Sequence, residues 1–263
     1  MSSELVLTSI HEGVLEVTLN RPEKRNALSI ELFEAMGDAF QLAAEPRVRA
    51  VLVRGSGPVF CAGIDLDSLA SLAGNRADGA FLSSLHHLQD IYMRLERIGK
   101  PSVASMQGAA VGAGLQLGLA CDLRVAADDL RMGVFEIHYG IVPDLGGIHR
   151  LVQLCGPSRA KDLAMTGRDV SPEEAMRIGL VDRVVPVADL DQSARSLVGE
   201  IAAKAPLAVQ AIKRLSDNAA GGQSPEDNLR DVGEAQVECL AHPDMMEAVS
   251  ARMQKRVPVF SAE

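Results

Sequence analysis

Glu136 and Asp144 stand eight residues apart in Phe135-Glu136-Ile137-His138-Tyr139-Gly140-Ile141-Val142-Pro143-Asp144-Leu145-Gly146-Gly147, a stretch otherwise apolar and rich in turn formers. A carboxyl group among apolar neighbours tends towards a raised pKa and can take or return a proton near neutral pH. Alone, such a pair reads first as caps or partners for nearby helix ends. Two glycine-bearing turns shift the balance. They are Phe60-Cys61-Ala62-Gly63-Ile64-Asp65 and Gly108-Ala109-Ala110-Val111-Gly112-Ala113-Gly114-Leu115-Gln116. Small residues leave their backbone bare, so a ligand can approach the N–H groups. Two N–H groups aimed at one point suit a developing oxyanion.

Each turn follows a run that reads as a buried strand, 50–54 and 102–106. Leu5–Ile10 and Val14–Leu19 read as a hairpin about His11-Glu12-Gly13. Ser29 caps a helix to about Ala44, residues 78–98 are amphipathic, and Lys100-Pro101 stops that pattern. Leu115–Cys121 reads as a short buried helix, with strands at 122–126 and 132–135. Helices are expected from Gly147 to about Leu154 and at 158–166, 172–178 and 190–204. Beyond residue 204 no β-rich run remains, and 207–219, 225–241 and 243–254 all suit helices. This is an α/β chain with a core over 1–204 and a helical region over 205–263. That region has apolar faces and no sheet of its own, so it must pack on the core or on a partner subunit.

Several chemistries are excluded. With 26 basic and 35 acidic side chains the net charge is −9, which argues against sequence-independent nucleic-acid binding. The cysteines at 61, 121, 155 and 239 form no C-x-x-C pair, and His86, His87, His138 and His149 have no metal-ligand spacing, so no metal is expected. A dinucleotide fingerprint beginning at Gly112 would need glycine at 117, which is Leu, and no Gly-Lys-Ser/Thr occurs. Gly55-Ser56-Gly57 is not a nucleophile elbow, and Cys61 reads as a small buried packer. Ser102–Cys121 is uncharged over about the length of a membrane span, but its four glycines, two glutamines and two serines make it a buried strand, turn and helix. The N-terminal Met-Ser-Ser-Glu-Leu-Val-Leu lacks a basic, then apolar leader pattern, so a cytoplasmic location is expected.

Taken in order, these segments resemble the crotonase family of enoyl-CoA hydratases and isomerases. The resemblance runs from Leu19-Asn20-Arg21-Pro22-Glu23-Lys24-Arg25-Asn26-Ala27-Leu28 through both glycine turns to Gly140–Arg150. It continues through Ala175-x-x-x-Gly179-Leu180-Val181-Asp182 to Lys255-Arg256-x-Pro258-x-Phe260. It implies a spiral of β-β-α turns whose C-terminal helices trimerise, a homotrimer or dimer of trimers, and acyl-CoA thioester substrates with no further cofactor. It also implies Ile64 and Ala113 as the two oxyanion donors, the latter at a helix N-terminus. Only backbone N–H groups are needed, so alanine at 113 is compatible.

The resemblance further implies coenzyme A contacts. Lys24 and Arg25 would meet phosphates, and the backbone about Ala27, Ala62, Gly63, Asp65, Leu66 and Gly112 would hold adenine and pantetheine. Lys255 and Phe260 would complete the nucleotide site, from a neighbouring subunit where the geometry requires it. Typical hydratases of the family use two glutamates. Here one position holds Gln116, which can hold water or substrate by hydrogen bonds but cannot be a carboxylate base. The other corresponds to Glu136. Asp144 stands where hydratases usually have glycine, and the Glu136/Asp144 pair is similar to that of dienoyl-CoA isomerases, which commonly carry Asp at the Gln116 position. Double-bond isomerisation is therefore the leading expectation. Hydration of 2-trans-enoyl-CoA is the first alternative and non-catalytic acyl-CoA binding the second.

Overall fold

A computed structural model describes residues 4–74 and 80–261. Strands β1 (Val6–His11) and β2 (Val14–Leu19) form the expected antiparallel hairpin, and β2 pairs in parallel with β3 (Ala50–Gly55). The sheet continues in parallel through β4 (Ser102–Met106), and a second layer holds β5 (Ala109–Val111). Further strands are β6 (Leu123–Ala127), β7 (Arg131–Gly133) and β8 (Arg183–Val185). The six-stranded sheet has the order β1-β2-β3-β4-β6-β8, and β5 pairs with β7 beside it. Single bridges Cys61–Ala110 and Met132–Val170 extend the small sheet into a row that crosses successive turns of the chain. Each turn thus gives one strand to the large sheet, a shorter one to the small sheet, and then a helix. This is the expected β-β-α spiral.

The parallel strands are buried on both faces, which explains their near-continuous apolar sequences. Val51, Val53, Ala104, Met106 and Ala126 face the larger core, while Leu52, Val103 and Val125 face the opposite way. The larger core is closed by α1 (Ile30–Gln41), whose N-cap Ser29 accepts from the Leu32 N–H. Two more helices, α2 (Leu66–Gly74) and α3 (Ala80–Arg97), follow β3, and α4 (Ala113–Ala120) follows β5. The start expected for α3, residue 78, lies outside the described residues. Next come α5 (Gly147–Thr166) and α6 (Pro172–Ile178). Within α5 the chain breaks at Gly156 (φ 80°, ψ 162°), just before Pro157, so it is the two expected helices end to end. The second face is covered by α7 (Leu190–Ala202) through Leu190, Ala194, Leu197 and Val198.

The C-terminal region is α8 (Pro206–Ala220), α9 (Pro225–Ala241) and α10 (Pro243–Met253). It docks on its own core. Lys213 of α8 pairs with Asp122, whose other oxygen accepts from the Ser102 N–H at 2.7 Å and hydroxyl at 2.9 Å. Lys213 is nearly buried, whereas the Asp122 side chain is 25% exposed. That exposure tempers the cost of breaking the pair from the 3–5 kcal/mol typical of fully buried pairs to about 1–3 kcal/mol. Lys213→Ala should lower the urea midpoint accordingly; an unchanged midpoint would assign the docking of α8 to apolar contacts alone.

Candidate active site

The two glycine turns leave the C-terminal ends of β3 and of the β4–β5 unit, and the Cys61–Ala110 bridge fixes their register. The Cys61 N–H donates to Ala109 O at 2.9 Å and the Val111 N–H to Cys61 O at 3.3 Å. Three residues beyond that bridge on each strand lie Ile64 and Ala113. Gly63 adopts φ 92°, and a Cβ there would lie 2.9 Å from Val111 O and 3.8 Å from Ala113 N. The turns therefore approach closely at Gly63 and Val111, the segments that carry the two expected donors. The parallel bridge to Leu28 uses the Leu28 and Asp65 N–H groups and leaves that of Ile64 uncommitted. Ala113 is the first residue of α4, so its N–H has no partner within the helix, and the helix dipole adds positive potential there. Helix α4 starts two residues earlier than its apolar pattern predicts, because Gly112 (φ 53°) makes the turn that begins it.

Cys61, in the first turn, packs against Gly114 of the second. Its thiol donates to Asn26 O at 3.1 Å, and complete burial pushes its pKa up to about 12, so it packs rather than attacks.

Above the donors opens a cavity of about 600 Å³. Its wall includes Ala62, Gly63, Ile64, Gly112, Ala113, Glu136 and Asp144, and the rest is mainly apolar, including Phe81, Leu85 and Leu88. Glu136 is 7% exposed. Burial raises its pKa, opposed by a hydrogen bond from Gln116 and reinforced by the negative charge of Asp144. Burial also raises the pKa of Asp144. The two acids thus meet in one apolar chamber beside the two N–H groups. This arrangement can hold a carbonyl oxygen as charge develops on it and move a proton at a neighbouring carbon.

The expected binding residues divide. Ala62, Gly63, Leu66 and Gly112 line the cavity. Ala62 also donates its N–H to Arg25 O at 3.0 Å, which lays the segment carrying Lys24, Arg25 and Ala27 beside the first turn. Lys24 and Arg25 are exposed and enter no ion pair among the described residues. Asp65 is engaged otherwise: it pairs with Arg21 at 2.7 Å, which also donates to Ala27 O, and that guanidinium holds the Asp65 carboxyl below its usual range.

Three of the expected binding residues lie away from the cavity within the single chain. Gln116 does not line the cavity. Its Oε1 accepts from the Leu145 N–H at 2.9 Å and the Gly147 N–H at 2.8 Å, and its Nε2 donates to Glu136 Oε1 at 2.7 Å. Lys255 and Phe260 do not line it either. Phe260 O accepts from Arg49, the residue just before β3, at 2.7 Å. Phe260 therefore lies at the opposite end of a strand roughly 16 Å long from the cavity.

Sequence reasoning missed Tyr92, Gln89 and Arg150. The buried Tyr92 hydroxyl donates to Ala113 O at 2.8 Å and Gln89 donates to Asp144 O at 2.7 Å, both from α3. Arg150, also buried, joins Glu96 to Leu145 O. The first turn of α5, Gly147-Ile148-His149-Arg150, gives no sequence signal that Arg150 is buried.

The family model described as Enoyl-CoA hydratase/isomerase matches residues 9–263. The chain belongs to the enoyl-CoA hydratase/isomerase family. Among its relatives is the peroxisomal Delta(3,5)-Delta(2,4)-dienoyl-CoA isomerase of Arabidopsis thaliana, 33% identical over 268 residues and covering 98% of this chain and 96% of the relative. The short-chain-enoyl-CoA hydratase of Clostridium acetobutylicum is 33% identical over 246 residues, 92% of each chain. The crystal structure of enoyl-CoA hydratase from Bacillus anthracis superposes with a TM-score of 0.91 at 31% identity, covering 98% of this chain and all of that one (100%). As a member of the enoyl-CoA hydratase/isomerase family the chain is an acyl-CoA enzyme, and its fold is that of the crotonases. No helix among the described residues is long and apolar enough to cross a membrane.

Proposed function

We propose that the enzyme shifts a double bond in an enoyl- or dienoyl-CoA through a thioester enolate. The observation that carries this reading is the pair Glu136 and Asp144 on one apolar cavity wall, both raised by burial, with an amide and not a carboxylate at 116. The thioester oxygen sits between the N–H groups of Ile64 and Ala113, each worth roughly 3 kcal/mol to the developing charge. One carboxylate removes the proton from C2, and its electron pair delocalises onto the thioester oxygen. A proton is then returned at the far end of the conjugated system: C4 for a 3-enoyl substrate, C6 for a 3,5-dienoyl one. Atoms and charge balance with one acid ionised and one protonated at the outset, a division that mutual repulsion across a low-dielectric chamber favours.

The proposed coenzyme A site runs from the cavity along Ala62 and Leu66 to Ala27 and the exposed cations Lys24 and Arg25, with Lys255 and Phe260 contributed by a neighbouring copy. The same reading takes the protein as a cytoplasmic homotrimer or dimer of trimers. Leu229, Val237 and Met246 of the C-terminal helices, each more than 60% exposed, are what a neighbouring copy would cover.

Offering 2-trans-enoyl-, 3-enoyl- and 3,5-dienoyl-CoA separately tests the reaction. Isomerisation creates a conjugated thioester chromophore, whereas hydration removes one. Turnover of the 2-trans-enoyl substrate alone would replace isomerisation by hydration. The pH profile is a second check. The base works ionised, and its activity is lost as pH falls through its pKa. Burial raises the Glu136 pKa, so the acid limb of kcat/KM should lie above the value of about 4.3 for an exposed glutamate. A limb at or below that value would exclude a buried carboxylate as the base.

A further inference from the structure

Gln116 connects both acids of the site although it does not line the cavity. Its amide orientation is fixed by its surroundings. Oε1 faces two backbone donors, the N–H groups of Leu145 and Gly147 at 2.9 and 2.8 Å, so the end facing Glu136 must be the NH₂. The Gly147 N–H is one of the unsatisfied groups at the start of α5 and the Leu145 N–H lies just before its N-cap Gly146, so the side chain of α4 caps the helix that follows the Asp144 loop. This close approach depends on glycine at 147, where a Cβ would lie 2.6 Å from Gln116 Oε1. On the other side, Nε2 donates to Glu136 Oε1 at 2.7 Å. Glu136 Oε2 is buried and has no partner among the described residues. A buried acceptor left unmatched needs an explanation in a native structure.

We infer that Gln116 is a positioning residue that fixes the Glu136 carboxyl by holding its Oε1, and so sets the orientation in which that carboxyl meets the proton it transfers. An amide donates to Oε1 whether Glu136 is ionised or protonated on Oε2, so the contact persists through the catalytic cycle. It cannot itself exchange a proton, so Glu136 has no relay towards α5. The same side chain pins the peptide next to Asp144, whose following carbonyl Arg150 holds from the opposite side. One residue thereby ties Glu136 to the Asp144 loop, which Gln89 and Arg150 also hold. This inference rests on Glu136 being the proton-transfer group.

Gln116→Glu separates the two halves of the role. A carboxylate at 116 still accepts from the Leu145 and Gly147 N–H groups, and those donors at a helix N-terminus keep it ionised. Its second oxygen, however, now faces Glu136 Oε1 with like charge. The acid limb of kcat/KM, measured on whichever substrate the parent turns over, should move up by about one pH unit or more. KM should stay within about threefold, because residue 116 does not line the cavity. Gln116→Met, which loses donor and acceptor together, should move the limb in the same direction and serves if the first variant does not fold. An unmoved limb in either folded variant overturns the inference and leaves Gln116 as a helix cap only. Failure of the underlying reading is distinguished by Glu136→Gln: turnover that survives in that variant removes Glu136 from the chemistry whatever residue 116 does.

Discussion

Glu136→Gln should lower kcat by about a thousandfold, within the 10²–10⁴ range of a single acid–base group, and leave KM nearly unchanged. The variant isolates chemistry from structure unusually well at this position. Gln116 offers only an N–H to residue 136, so the new amide turns its carbonyl oxygen to that donor and keeps the 2.7 Å contact. The volume is the same, and a neutral amide is easier to bury than the carboxylate whose pKa burial already raises. Thermal stability should therefore be equal or slightly higher. Binding of a coenzyme A thioester, followed by titration calorimetry, should persist, because the oxyanion donors are backbone groups. A kcat within tenfold of the parent would remove Glu136 from the mechanism. Asp144 would then be the single carboxylate of a one-base isomerase.

The large elements are legible because their physics is local. The β1–β2 hairpin and strands β3 and β4 are apolar runs bounded by glycine, proline or charge, and the C-terminal helices carry Ser224-Pro225 and His242-Pro243 starts. What escapes sequence reading is short or depends on distant partners. Strands β5 and β8 have three residues each, too few for a period. Helix α2 follows Asp65, which caps it through the Asp67 N–H, but its small residues give no clear stripe. The site divides in the same way. Residue types identify Glu136, Asp144 and both turns, whereas the Cys61–Ala110 bridge that brings Ile64 to Ala113 joins residues 49 positions apart. Gln116 is the sharpest case. Its type excludes a carboxylate base, but only the fold reveals that its amide is consumed between Glu136 and the start of α5.

Gly63→Ala should cost about 10²-fold in kcat, because the two oxyanion donors cannot both keep their places once residue 63 has a side chain. The residue adopts φ 92°, where an L side chain is strained, and the new Cβ would lie 2.9 Å from Val111 O. Relief is possible only by moving one turn. Retreat of the first turn carries the Ile64 N–H with it; retreat of the second carries Val111, Gly112 and Ala113. Losing one well-aimed donor is worth roughly 10²–10³ in rate. The loss should fall on kcat more than on KM, since the charge these donors meet is largest in the enolate-like transition state. Backbone strain also lowers stability, by about 1–3 kcal/mol, so a control is needed. Gly222 has φ 90° in the α8–α9 connection, and a Cβ there would meet nothing within 4 Å. Gly222→Ala imposes comparable strain far from the cavity and should lower the melting temperature while leaving kcat unchanged. If the two variants lose stability alike but only Gly63→Ala loses rate, strain is excluded as the cause and the contact between the turns is what aligns the donors. Equal rates would mean that the turns can separate without disturbing the enolate, and the oxyanion assignment of Ile64 and Ala113 would fall.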